Sequence, residues 1–396
     1  MSNTILTPTA VTRKALQILH QKLNFIGSIN RQYDDSFAKT GAKIGDSIKV
    51  RLPNQYTIRT GANISTQDTT EASTTLQVAT QKGVDTTFTS AELTLSMDDF
   101  AERILEPAMA TLASNMEADA LSMALDVYQS VSNVGSAITF NKVMAARKML
   151  TDSLAPGSER KLILNTQDNL DLVDSLKGLF QDSSTISQQY RDGLVGKTAG
   201  FGDIYENTLL ASQATGTALA STTYTVNGAS QVGSGVIVAT GATTFKKGDV
   251  ITFAGCNRVH PETKADTGVL QQFVVTTDYA GGAGTIAISP AIVTSTGRQN
   301  VSASPTNGGA VTKIGGASAI YKPSLAFHKN AFTFATVDME DVSQYGVWSA
   351  RESYDGISMR VARQYAISTD AIPCRIDVMY GYKTLRAELA ARILSN

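Results

Sequence analysis

Cysteine and histidine are nearly missing from this chain, with two and three residues respectively among 396. Cys256 and Cys374 stand far apart and supply no disulfide framework, so both are expected as reduced thiols of a protein made in a cytoplasm. With only His20, His260 and His328, an acid-base or nucleophile-histidine site has few candidates. None of the three stands beside a Gly-x-Ser-x-Gly elbow or a paired carboxylate in a recognisable frame. Charge is equally thin: charged residues make up 17% of the chain and the formal net charge is -1. That removes the basic field on which specific nucleic-acid recognition and anionic-membrane binding rest. No uncharged apolar run reaches about 18 residues, so no membrane span is expected. Met1 to Ala10 lacks a basic stretch followed by an apolar core, so no secretory signal is expected either.

Thr, Ser, Ala and Gly take the place of the missing charge, and such a surface is easier to desolvate against a partner than one crowded with Lys and Glu. The composition therefore leans toward assembly. At 396 residues with 42% hydrophobic content the chain is globular and long enough for two or three domains.

The organising stretch runs from Ser96 to Val131. Leu105, Met109, Leu112, Met116, Ala120, Met123 and Val127 recur at a three-four spacing, which places them on one stripe of a helix. Ser96 with Asp99 marks an N-cap, and Pro107 suits a first turn, so the reading is a short helix, a kink and a long helix. Pro107 to Tyr128 would span about 33 Å.

Ahead of it, Pro8 to Leu23 forms an amphipathic helix within an N-terminal segment, 1–35, that either reaches out as an arm or packs as a plain first helix. Gly45 to Pro53 alternates as a half-buried strand, and Thr74 to Thr89 alternates again. Tyr56 to Ser73, between them, is rich in Thr, Gln and Asn and has little to bury. Read as a two-stranded arm, 53–85 would project about 50 Å. An isolated two-stranded arm is marginal in water, so this one wants a partner surface.

Beyond the long helix come a helix at Phe140–Leu154, a buried strand at Lys161–Leu164 and a helix at Asp168–Phe180. From Ser212 to Ile320 helix formers nearly vanish. Short strand-like runs at Thr222–Val226, Gly235–Ala239, Asp249–Ala254, Leu270–Thr277 and Thr285–Ser289 predict a small inserted barrel or sandwich. Leu325–Val337, Ile357–Tyr365 and Cys374–Tyr382 read as strands, and Leu385–Leu394 as a closing helix or turn.

This order of elements resembles the major capsid proteins of tailed double-stranded-DNA phages, the Hong Kong 97 fold, and most closely the coat protein of the Salmonella phage twenty-two type. Ser114-Asn115-Met116-Glu117 resembles the family's helix motif, and Tyr190-Arg191-Asp192-Gly193 with Ala199-Gly200-Phe201-Gly202-Asp203 is similar to the lead into the insertion. Phe245-Lys246-Lys247-Gly248-Asp249-Val250-Ile251-Thr252-Phe253-Ala254-Gly255 looks like a barrel strand pair, and Cys374 to Gly381 like the C-terminal strand. One departure is the loop before the Lys-Lys-Gly-Asp strand, which is long and charged in the type member and short and uncharged here at Asn227–Gly235. The resemblance implies an α+β capsid fold: an N-arm at 1–35, peripheral-domain strands and an E-loop at 36–95, a spine helix at 96–134, an axial part at 135–211, an axial and peripheral part at 321–396, and an inserted barrel at 212–320. It implies a shell of pentamers and hexamers, with E-loop residues Tyr56, Arg59, Asn63, Asp68 and Glu71 meeting a neighbouring subunit. Expected partners are further copies of the chain, a scaffolding protein, a portal and packaged DNA held non-specifically, with no membrane and no cofactor. The expected location is the virion, assembled in the host cytoplasm.

Other motifs fail on their own terms. Gly196-Lys197-Thr198 is similar to a phosphate loop, but Arg191 stands where a glycine is needed and Ala199-Gly200-Phe201-Gly202 where a helix should follow. Cys256 and His260 have near-ligand spacing without a second pair. Asp34-Asp35 and Asp98-Asp99 fit helix-start dipole pairing better than a cation site. Lys49 or Lys82 could form the isopeptide cross-link of some relatives, but no acidic catalytic frame accompanies them. An encapsulin-like cargo shell, a β-rich adhesin and an enzyme are the weaker alternatives.

Overall fold

The computed structural model describes residues 8–31, 47–59, 61–64, 66–67, 73–88, 104–176, 199–340, 342–354, 356–368 and 371–395. The chain divides into two units. One is Met1–Arg51, Ser73–Leu121 and Phe332–Leu385, and the other is Leu52–Ala72, Ser122–Ala331 and Arg386–Asn396.

The first unit is built on the helix Glu106–Leu121. Pro107 lies in its first turn, where a missing N–H costs nothing. Met109, Leu112, Ala113, Met116 and Ala120 are buried on its apolar side. On the wet side Thr111, Ser114 and Asn115 donate to the carbonyls of Pro107, Ala110 and Thr111, so these polar side chains find their partners within the helix. The helix is shorter than the expected Pro107–Tyr128. After Leu121 the chain tightens into a 3-10 turn, Ser122–Asp126, and then a strand, Ser130–Ser132. Its 16 residues make about 24 Å of α-helix.

The helix Pro8–Lys22 buries Val11, Ala15, Leu16 and Leu19, and packs on the spine helix and on strands Trp348–Tyr354 and Ile357–Arg363. A single turn, Phe25–Ser28, follows, with the Phe25 ring edge-on to Phe332 at 5.7 Å. Of the two readings of the N-terminus, packing inside its own unit describes residues 8–31, in place of an arm.

The sheet of this unit centres on Ile372–Thr384. Thr80–Phe88 lies along one edge, and the other edge is shared by Ile357–Arg363 and Phe332–Val337. The expected single strand Thr74–Thr89 is therefore two. Ser73–Gln77 pairs with Ser47–Arg51, matching Ile48 to Leu76 and Val50 to Thr74. Thr80–Phe88 matches Val84 to Ile376 and Phe88 to Ile372, so these residues do not close the arm. The chain breaks where Leu76 and Val78 sink into a cluster with Ala335, Val337 and Met379. Gly381 allows the approach, since a Cβ there would lie 2.2 Å from the Gln77 carbonyl oxygen.

In the second unit a five-stranded sheet runs in the spatial order Ser130–Ser132, Ala390–Leu394, Ser324–His328, Arg160–Leu164, Asp203–Glu206. The closing segment, expected as helix or turn, is thus a central strand after a 3-10 turn at Ala387–Leu389. All five of its residues are buried, and pairing on both sides outweighs the helix propensity of Ala-Ala-Arg-Ile-Leu. Leu325–Val337 also differs from expectation: a 3-10 turn, Lys329–Ala331, splits it into Ser324–His328 and Phe332–Val337, one strand for each unit. Helices Phe140–Asp152 and Thr166–Leu176 flank this sheet. Arg160 closes the end of the first by donating to Pro156 O at 2.7 Å, to Thr151 Oγ1 at 2.9 Å and to Ala155 O.

Six strands between Ser221 and Ile314 form a closed barrel. Tyr224, Val236, Val238, Phe245, Ile251, Phe253, Phe273, Ile286 and Val311 fill it. The Gln272 side chain behaves as a strand toward Ser130, accepting its N–H at 2.6 Å and donating to its carbonyl at 3.0 Å. Arg258 meets Asp152 at 2.9 Å, and the fully buried Arg392 donates to Gln213 Oε1 and Gly248 O, both at 2.9 Å.

Candidate intersubunit surface

The described part of the long polar stretch after Arg51, residues 52–59, 61–64 and 66–67, is tied by its own side chains. Gln67 stands across from Thr57 as a strand residue would, accepting the Thr57 N–H at 2.9 Å and donating to the Thr57 carbonyl. Arg59 folds over the tip, donating to Gly61 O and to Asn63 O at 3.0 Å. Of the five residues expected to meet a neighbour, Tyr56, Arg59 and Asn63 lie exposed on this loop, with the Arg59 guanidinium engaged inside the tip. Asp68 and Glu71 lie outside the described residues.

Two residues that sequence reasoning passed over dominate the loop. Ile58 is 91% exposed and Ile64 is 84% exposed, beside Tyr56 at 57%. Each is a single apolar residue in a Thr/Asn-rich segment, so no periodicity marks it. Singly exposed apolar residues are common on protein surfaces. Three on one loop held in shape by hydrogen bonds offer apolar area that a partner can cover.

The remaining motifs take structural roles. Cys256 points into the barrel core, and burial pushes its thiol up to about 12. His260 Nδ1 accepts the N–H groups of Glu262 and Thr263, which is a turn cap. No group of three or more potential metal ligands exists among the described residues. His328 is buried at the end of Ser324–His328, where Nδ1 accepts the Asn330 N–H and burial lowers its pKa. Lys82 pairs with Asp119 at 2.7 Å, and that carboxylate also accepts a hydrogen bond from the Tyr380 hydroxyl at 2.5 Å. Gly196-Lys197-Thr198, both aspartate pairs and the side chains of His20 and Lys49 lie outside the described residues. A shallow polar groove over Gln81, Gly83, Asp85, Arg375 and Asp377 holds charge in matched pairs: Arg375 faces Asp85 at 3.0 Å and Arg360 faces Asp377 at 2.8 Å. The short Asn227–Gly235 loop is closed by Gln231, which bonds Asn227 O and the Ile237 N–H.

A body whose described motifs serve packing, and whose polar arm carries bare isoleucines, has the build of a subunit that tiles a shell. The family model described as P22 coat protein, gene protein 5, matches residues 29–393, and the chain belongs to that family. It is a major capsid protein, a virion component that assembles in many copies. No curated protein matches the chain. Solved structures with a similar course come from Mycobacterium phage Che8 (14% identity, 94% of this chain and 91% of the other, TM-score 0.49). Others are the capsid of cyanophage P-SCSP1u (11%, 91% and 85%, 0.43) and the mature capsid of bacteriophage PhiM1 (10%, 92% and 84%, 0.43). The encapsulin-like alternative is the less supported one beside the coat-protein family match.

Proposed function

We propose that the chain builds pentamers and hexamers of an icosahedral shell around packaged double-stranded DNA, and that the loop from Leu52 to Ala72 is its clasp on a neighbouring subunit. The exposed Tyr56, Ile58 and Ile64 carry this reading. Covering a side chain of that size is worth about 1.5–3 kcal/mol, so the three together supply roughly 4–9 kcal/mol gross. Micromolar association needs about 8 kcal/mol, so several such contacts per subunit hold a shell whose early steps stay reversible. Arg59, Asn63, Asp68 and Glu71 then form the polar rim of the contact.

Within the same reading, residues 96–134 act as the spine, 135–211 packs around the symmetry axes, 321–396 is shared between the axial and peripheral domains, and 212–320 is the inserted domain. A scaffolding protein and a portal take part in assembly in the host cytoplasm. DNA is held non-specifically, as suits a chain with a net charge of -1. No catalysis is assigned to the chain. The test is to replace Tyr56–Ser73 by a short Gly/Asn turn and to follow thermal melting alongside sedimentation with the scaffold partner. A folded protomer that stops at isolated capsomers is expected. Normal closed shells would refute the clasp.

A further inference from the structure

The arm and the strands it grows from belong to different units. Ser47–Arg51 and Ser73–Gln77 are part of the first, whereas Leu52–Ala72 groups with the barrel. The reason lies in one turn between the last two barrel strands. There Gly297 presses on the arm's root so closely that an added Cβ would lie 2.2 Å from Gln55 O, 2.7 Å from Gln55 C and 3.2 Å from Tyr56 N. Its neighbour Arg298 donates to Pro53 O at 3.3 Å. Thr296, just before them, sits at φ 80°, a left-handed conformation that a β-branched residue avoids. Such strain persists where the surroundings over-determine it. Asn300 does so here. It accepts the Val293 N–H at 2.9 Å, donates to Ala291 O at 2.7 Å, and sends its own N–H to Val293 O at 3.1 Å, while Gln299 N–H reaches Thr296 O at 3.1 Å.

We infer that the barrel turn Ser295–Arg298 is the docking site of the arm's root, Pro53–Tyr56, and that the inserted barrel thereby sets where the arm is held. Extended backbone fits this site because Gly297 offers no side chain and Arg298 supplies one donor to a carbonyl. Pro53 keeps the root extended and presents that carbonyl without an N–H of its own. The barrel is then more than an inserted module, because any change in its placement carries the arm with it.

The test uses the full-length soluble protomer, before any assembly. Gly297 does not have a positive φ, so Gly297→Ala adds only the methyl group that the root must escape. Hydrogen exchange in the peptide Leu52–Arg59 and chymotrypsin cleavage after Tyr56 report release of the root, since both track the open population. Gly297→Ala should raise both rates at least about tenfold with the main thermal transition in place, and Arg298→Ala should raise them less. Thr296→Gly, which relieves the strain and keeps the contact, should leave them unchanged. Parent-like rates in Gly297→Ala overturn the inference, as does an equal rise in Thr296→Gly, which would trace the effect to the turn's own stability. Should Gly297→Ala fail to fold, unchanged exchange in Arg298→Ala overturns it instead. The inference does not depend on the clasp reading: a released root with normal shells supports docking and refutes only the clasp.

Discussion

Glu117 is 3% exposed on the spine helix, yet its carboxylate is engaged with backbone from the opposite end of its unit. Oε1 accepts the N–H groups of Phe25 at 2.5 Å and Asn24 at 3.2 Å, and Oε2 accepts that of Ile26 at 3.5 Å. These are the donors that the short helix Phe25–Ser28 leaves without a partner at its start. A negative charge at that position also suits the helix dipole. Glu117→Ala removes the acceptor and leaves the Phe25 and Ile26 N–H groups buried without it, while the exposed Asn24 can turn its N–H to water. Each unmet buried donor costs about 1–3 kcal/mol, and hydrogen bonds to a charged group are worth about 1.5–3. Counting the buried Phe25 donor in full and the exposed Asn24 contact at a fraction of that, the loss is roughly 2–4 kcal/mol. At about 2–4 °C per kcal/mol for a domain of this size, Tm should fall by on the order of 10 °C. Glu117→Gln keeps one acceptor oxygen and should lose roughly half as much. Scanning calorimetry of the two variants beside the parent decides the matter. A fall below about 2 °C for Glu117→Ala, or equal falls for both variants, would show that shape and not the carboxylate holds the N-terminal segment.

His328 gives a pH prediction. Burial lowers its pKa below 6.5, with Glu159 opposing and Arg160, Arg386 and Lys329 adding to the shift. The unfolded chain therefore takes up a proton that the folded chain refuses, so stability is full above about pH 6.5 and is lost below it. His328→Gln should flatten the dependence of Tm on pH between about 7 and 5, and an unchanged profile would place the acid sensitivity elsewhere. The segment Ser212–Ile320, expressed alone, should melt cooperatively with β-type circular dichroism, because its core is its own; a random-coil spectrum contradicts this. Nucleotide should neither bind nor turn over, and ATP hydrolysis abolished by Lys197→Ala would contradict the reading of the broken glycine spacing.

Much of this was legible from the sequence, and the misses share a cause. The spine stripe, the five barrel runs and the helix at Phe140 follow from periodicity and glycine-rich punctuation, which are local signals. The closing strand and the split at Val78 depend on partners hundreds of residues away. Ala390–Leu394 becomes a strand because Ser324–His328 and Ser130–Ser132 lie on either side of it. Thr80–Phe88 leaves the arm because Ile372–Thr384 offers a longer ladder than Ser47–Arg51 does. Local propensity holds no record of either choice.

The arm shows the same limit in a sharper form. Its composition announces a segment that cannot bury itself, and the proposed intersubunit role starts from that. Which residues do the work is another matter. Arg59, a natural choice for a contact, closes its own tip, while Ile58 and Ile64 stand bare on a loop cross-tied between Thr57 and Gln67. A polar-rich loop without that tie could collapse over its isoleucines and hide them. The glutamine that stands in for a strand thus has a testable consequence. Gln67→Ala removes both hydrogen bonds to Thr57 while touching no apolar atom of the tip. If the tip works by presenting preformed apolar surface, this variant should assemble more weakly and form shells only at higher protein concentration, with protomer Tm within about 1 °C of the parent, as for an exposed site. Critical concentrations for assembly, measured by sedimentation, should separate the variants. Parent-like assembly would mean that the isoleucines find their partner without being held in advance.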